Sequence, residues 1–134
     1  MIPYPVPNPD NQGFWDACRR GELHLQRCLG CGAWRHHPRP MCPACHSLDY
    51  EWARVSGRGV VHTFTIVHRP TLPAFEHQLP YNVIVVRLEE GPLMVSNLVD
   101  CPADAIRIDL PVEVVFEPLT DDIALPKFRP RSAA

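Results

Sequence analysis

Alternation of apolar and polar residues with a period of two runs through the second half of this 134-residue chain, the pattern of half-buried β-strands. Five runs carry it: YEWARV from Tyr50, GRGVVHTFTIVH from Gly57, YNVIVVRLEE from Tyr81, PLMVSNLV from Pro92 and PVEVVFEPL from Pro111. They are rich in Val, Ile, Phe and Thr. Ser56-Gly57, Glu90-Gly91-Pro92 and Pro102 to Asp104 supply the turn chemistry between them. Five strands, one of them long and able to bend at Gly57 or Gly59, predict a small closed barrel, with the OB-fold the leading candidate and an SH3-like barrel the alternative.

The first third of the chain is patterned differently. Prolines hold residues 1–10 as an extended arm. A short helix is predicted over about 11–20, with Asp10 or Asn11 as the cap and Phe14, Trp15 and Cys18 on one face, ended by Gly21. ELHLQR (22–27) alternates as a strand does, with Leu23 and Leu25 on one face.

That strand feeds into RCLGCGAWRHHPRPMCPACHS, where Cys28-x2-Cys31-x10-Cys42-x2-Cys45 sets two knuckles to converge on one tetrahedral ion. Gly30 and Gly32 let the first knuckle turn its N–H groups toward sulfur, and Pro43 stiffens the second. The leading occupant is one structural Zn2+ per chain. Rubredoxin-type iron is an alternative, though His46 stands where a glycine is usual. A redox dithiol is another, but neither pair has the strand-to-helix setting of a thioredoxin motif. Four thiolates leave no open coordination position, so the site organises chain rather than activating water. Between the knuckles, Trp34, His36 and His37 are candidates for contact with a partner, against the plainer readings of solvated loop residues or a hydrogen-bond donor to sulfur.

Composition narrows the function classes. Hydrophobic residues make up 46% of the chain, enough for a packed core, and no apolar run approaches the ~20 residues that cross a bilayer. MIPYPVPNPD has neither the basic nor the apolar region of a signal peptide, so a reducing cytoplasm is expected and disulfides are not. The net charge is -2, and the cations are arginines except for Lys127. Residues 51–134 hold eight basic and eleven acidic residues, which argues against the positive, aromatic-interleaved track of a nucleic-acid binder.

The blocks FWDACRRGELHLQRC, RPMCPACHS, SGRGVVHTFTIVHRP, LPYNVIVVRLEEGPLMVSNLVDC, PVEVVFE and LPKFRP, in that order, resemble the acyl-CoA-associated family that joins a zinc ribbon to an OB-fold, formerly a domain of unknown function. The resemblance runs from Phe14 to Pro130. It departs from the family at His36-His37, before the second knuckle, and at Asp109, where a glycine is common. The resemblance implies a mainly β fold: an N-terminal arm and helix (1–21), a rubredoxin-like zinc ribbon (22–50), a five-stranded OB-fold barrel (51–118) and a C-terminal extension (119–134). It implies a non-catalytic partner subunit of a thiolase-superfamily enzyme (thiolase, acyltransferase or lipid-transfer-protein-like aldolase) that helps bind acyl-CoA, in a hetero-oligomer, in lipid or steroid side-chain metabolism. Freestanding CoA-binding or scaffolding modules are the alternative class.

The residues agree with a non-catalytic role, showing no nucleophile elbow, no paired carboxylates at helical spacing and no Gly-rich phosphate loop. Cys101 lacks a histidine beside it in sequence, and Cys18 lies on the apolar helix face. Residues 67–81 form a proline-containing connection long enough to bind something. There His68, Arg69, Phe75 and Tyr81 join Arg54 and Arg58 as candidate acyl-CoA contacts, the arginines suiting phosphate. The proline-fixed ends, residues 1–10 and 125–130 with Phe128 as an anchor, are the candidate partner-docking arms.

Overall fold

The computed structural model describes residues 5–69 and 73–131, leaving out the side chains of Phe75 and Glu76. Helix α1 (Gln12–Arg19) comes first. Then follow β1 (His24–Cys28), β2 (Trp34–Arg35), β3 (Tyr50–Arg54), β4 (Arg58–Val67), β5 (Tyr81–Leu88), β6 (Leu93–Ser96), β7 (Pro111–Pro118) and β8 (Ala124–Pro130). They build a three-stranded sheet in the order β2-β1-β3 and a five-stranded sheet in the order β6-β5-β4-β7-β8.

The spacing of Phe14, Ala17 and Cys18 puts all three on the buried face of α1. Asn11 precedes the helix without capping it, because its Oδ1 accepts the Asn8 N–H at 2.7 Å instead. Gly13 is there for close approach: a Cβ at that position would lie 2.4 Å from Nε1 of Trp52. The helix is thereby seated against β3. Leu23 and Leu25 are both buried, as their alternation predicts.

Two strands sit elsewhere than the sequence suggests. Residues 50–54, read as the first barrel strand, pair antiparallel with β1, from Cys28↔Tyr50 to His24↔Arg54. The fifth strand of the larger sheet is β8, within the segment read as an extension. It pairs with β7 from Val112↔Pro130 to Pro118↔Ala124. Its prolines disguised it as an arm, yet proline is tolerated on an edge strand, where its missing N–H faces away from the ladder.

The larger sheet curls into a half-barrel. β4 bends through a register shift between Val61 and Thr63, and Gly59 lets Arg87 of β5 approach, since a Cβ there would meet the Arg87 carbonyl oxygen at 2.3 Å. After β6 the chain meets β8. Asn97 O accepts the Phe128 N–H at 3.0 Å, and Val99 donates to Phe128 O at 2.8 Å, around a parallel bridge between Leu98 and Phe128. Asn82 of β5 holds this seam: its Nδ2 donates to Leu98 O at 2.8 Å and its Oδ1 accepts the Leu98 N–H at 2.7 Å. Asp109, where a glycine would be usual, adopts φ 67, so the left-handed turn survives the change.

One hydrophobic cluster runs through the molecule, from Phe14 and Cys18 of α1 and Leu23 and Leu25 beside it to Val61, Ile84, Val112 and Phe128. Among the described residues no helix is long and apolar enough to cross a membrane.

Candidate metal centre and ligand clefts

The four cysteines come together. Cys28 ends β1, Cys31 follows one turn later, and the second knuckle returns Cys42 and Cys45, so that the four Sγ atoms lie within 4.8 Å of one another. Cys28 and Cys45 sulfurs are 3.5 Å apart and those of Cys31 and Cys42 are 3.7 Å apart. Tetrahedral Zn–S bonds of about 2.3 Å place sulfurs roughly 3.8 Å apart, so the spacing fits a single four-coordinate ion. Backbone N–H groups of Gly30 and Cys31 point at Cys28 Sγ at 3.3 and 3.4 Å. The Cys31 N–H, ahead of the neighbouring thiols and the Gly30 N–H, draws the Cys28 pKa down to about 6. Cys42 is lowered likewise, first by the Cys45 N–H. The Cys28 and Cys42 thiolates are thus favoured before any ion arrives, the form a metal binds. Cys45 goes the other way: although the Ser47 N–H lowers it, its hydrogen bond to Cys28, burial and the other thiols push its pKa up to about 12. Gly30 has little room, with Cys45 Sγ 3.3 Å from where its Cβ would be.

A buried polar clamp stiffens the segment between the knuckles. Gln26, fully buried on β1, accepts from Arg35 Nε at 2.6 Å and from the Arg39 N–H at 2.8 Å through the same Oε1. Arg35, buried as well, donates from Nη2 to Arg39 O at 2.7 Å and lies 5.0 Å over the Tyr50 ring. Neither residue is in a motif; the register pair Gln26↔Arg35 brings them together. Trp34 is half-buried beneath the Arg27 guanidinium, 5.2 Å from the ring centre. His37 is exposed, whereas His36 turns inward, its ring 5.5 Å from Phe14. Burial, with a contribution from the neighbouring His37, pushes the His36 pKa down to about 4. Its Nδ1 is buried with no hydrogen-bond partner among the described residues.

Two clefts flank the barrel seam. One, of about 440 Å³, is lined by Gln78, Tyr81, Asn97, Cys101 and Lys127. The other, of about 260 Å³, lies between α1, the loop after β2, β6 and β8, and is lined by Phe14, Trp15, His36, Met94, Val95 and Leu125. Asn97 and Lys127 line both. Lys127 Nζ is 2.8 Å from Glu117.

Of the residues singled out for acyl-CoA, Tyr81 lines the first cleft. Arg54, Arg58, His68 and Arg69 are exposed on β3, β4 and the strand exit that follows, outside both clefts. The Phe75 side chain lies outside the described residues. Phe128 is corrected: at 0% exposure it is a core residue and its side chain is closed to a partner, because β8 pairs into the sheet. Cys18 packs as expected, and burial raises its pKa to about 12. Sequence reasoning did not select Asn97, Met94, Val95 or Lys127 as cleft residues. Asn97 and Lys127 were the legible ones, as the polar end of a strand and the sole lysine.

A four-cysteine ribbon joined to a curled five-stranded sheet defines the class of zinc-ribbon plus OB-fold proteins. The rubredoxin-like zinc ribbon model of ChsH2 matches residues 15–51, and the ChsH2 C-terminal OB-fold model matches residues 52–117. A DUF35 domain-containing scaffold protein of Methanocaldococcus jannaschii is 35% identical over 97 residues, covering 72% of this chain and 68% of that protein. The chain belongs to this ChsH2/DUF35 family. A probable enoyl-CoA hydratase alpha subunit of Thermomonospora curvata is 39% identical over 130 residues, 97% of this chain; the chain spans only 40% of that relative's length. Among solved structures, a chain of the Ltp2-ChsH2(DUF35) aldolase superposes with a TM-score of 0.85 at 38% identity, over 95% of this chain and 98% of that one. A DUF35 protein of Sulfolobus solfataricus shares the fold at 12% identity, with a TM-score of 0.64.

Proposed function

We propose that this chain is a non-catalytic accessory subunit of a thiolase-superfamily enzyme, which it joins in a hetero-oligomer to help hold an acyl-CoA substrate in lipid or steroid side-chain metabolism. The observation that carries the reading is the superposition on nearly the whole of a chain from the Ltp2-ChsH2(DUF35) aldolase. The name of the Thermomonospora relative, an enoyl-CoA hydratase alpha subunit, supports the same substrate class. One zinc ion per chain, held by Cys28, Cys31, Cys42 and Cys45, closes the knuckles; it supplies structure and leaves no position for substrate. Arg54, Arg58, His68, Arg69, Phe75 and Tyr81 remain the candidate acyl-CoA contacts, and Trp34, His36 and His37 the candidate partner contacts.

Reconstitution tests the proposal. Alone, the protein turns over no acyl-CoA; mixed with its thiolase-type partner it co-elutes from a sizing column and raises that enzyme's activity or substrate affinity. Unchanged partner kinetics without co-elution would refute it. The scaffold name carried by the Methanocaldococcus relative favours a second reading, a module that holds enzymes together without touching substrate. Under that reading co-elution persists while acyl-CoA affinity does not change.

A further inference from the structure

The two clefts at the barrel seam differ in chemistry in a way that one ligand class matches. The larger is edged by side-chain amides and a cation, from Gln78, Asn97 and Lys127. The smaller presents Phe14, Trp15, Met94, Val95 and Leu125. Among the described residues no carboxylate lines either cleft, and Glu117 beside them is paired with Lys127 Nζ at 2.8 Å. Since Asn97 and Lys127 border both, a linear molecule with an amide-bearing arm and an apolar head would span them in one direction only.

We infer that the smaller, aromatic cleft receives the acyl end of the acyl-CoA while the larger cleft takes its pantetheine arm, which makes this chain a determinant of acyl specificity. The inference rests on the acyl-CoA reading above and adds which end lies where. Size sets the acyl class: a 150 Å³ apolar cavity suffices for benzene, so about 260 Å³ suits a compact acyl group on the order of one or two rings. His36 lines the same cleft with its ring, while its Nδ1 is closed to solvent. Val95 is the entrance: on edge strand β6 it is 61% exposed, a large apolar side chain in water at the lip of an apolar cleft.

The test is a side-chain NMR titration of the full zinc-loaded chain with CoA, acetyl-CoA and phenylacetyl-CoA, following the Met94 and Val95 methyls and the Gln78 and Asn97 amides. CoA should shift the amides alone. Phenylacetyl-CoA should shift the methyls as well and bind about tenfold more tightly than CoA. Val95→Trp, at an exposed position that does not threaten folding, should bring that affinity ratio close to one, whereas Leu93→Ala, exposed on the same strand outside both clefts, should leave it near ten. Amide shifts without methyl shifts, with equal affinities, would overturn the acyl placement and leave the acyl-CoA reading standing. Silence from all three ligands would overturn both. Methyl shifts produced only by the partner subunit, and unaffected by acyl-CoA, would assign the cleft to a protein side chain and overturn the inference.

Discussion

Gly32 and His46 occupy equivalent positions in the two cysteine knuckles. Each follows the second cysteine of its pair, each has a left-handed backbone, at φ 78 and φ 64, and each donates its N–H over 2.9 Å to the carbonyl of the first cysteine, Cys28 or Cys42. The geometry that closes a knuckle demands a positive φ at this point, which glycine adopts freely and histidine does not. His46→Gly should therefore strengthen the second knuckle by about 0.5–1 kcal/mol, and Gly32→Ala should weaken the first by about 1–2 kcal/mol. Chelator competition reads both, as metal retention at higher and lower chelator concentration respectively. Equal retention by the two variants would contradict the equivalence.

Cys28→Ser removes the thiolate that collects two backbone N–H groups. Elemental analysis should show the metal lost. Amide exchange should then speed up across residues 28–49, while β4, β5 and β7 keep their protection, since Val61, Ile84 and Val112 belong to the continuous apolar core, whose buried members include none of residues 28–49. Loss of protection throughout the chain would mean that the ribbon and barrel fold as one unit.

Phe128 makes a plain stability prediction. It is fully buried and its backbone forms the seam with Asn97 and Val99. Phe128→Ala should lower the free energy of unfolding by about 3–5 kcal/mol, read from urea denaturation. A variant of unchanged stability would return the residue to the role of surface anchor.

His36 gives a pH dependence with a definite sign. Its pKa falls from the ordinary 6.5 to about 4 in the folded chain, chiefly through burial, so the unfolded chain takes up a proton first. The neutral-imidazole contribution is complete above pH 6.5 and drains away as pH falls toward about 4, amounting to a loss on the order of 3 kcal/mol. Acid also protonates the cysteine ligands, so the comparison is with His36→Gln. That variant should show a shallower decline between pH 6.5 and 4, and parallel curves would place His36 in solvent.

The metal centre was legible from the chain alone, because cysteine spacing within a knuckle is a local constraint: two residues between thiols leave few ways to turn. The helix was legible for the same reason, through Phe14, Trp15 and Cys18 at helical spacing, although Ala17 rather than Trp15 joins Phe14 and Cys18 as buried, and so were the interior strands, whose alternation records one wet face and one dry one. Which sheet a strand joins is not local. Residues 50–54 and 124–130 pair with β1 and β7, and nothing in the local pattern of either segment names that partner, because pairing depends on which edge the rest of the fold brings alongside. The clefts depended on tertiary structure even more completely. Phe14, His36, Met94 and Lys127 come from four separate elements, and no spacing in sequence relates them. Only the seam between β6 and β8, with α1 laid across it, brings them to one surface, and packing of the shared apolar core is the force that lays it there.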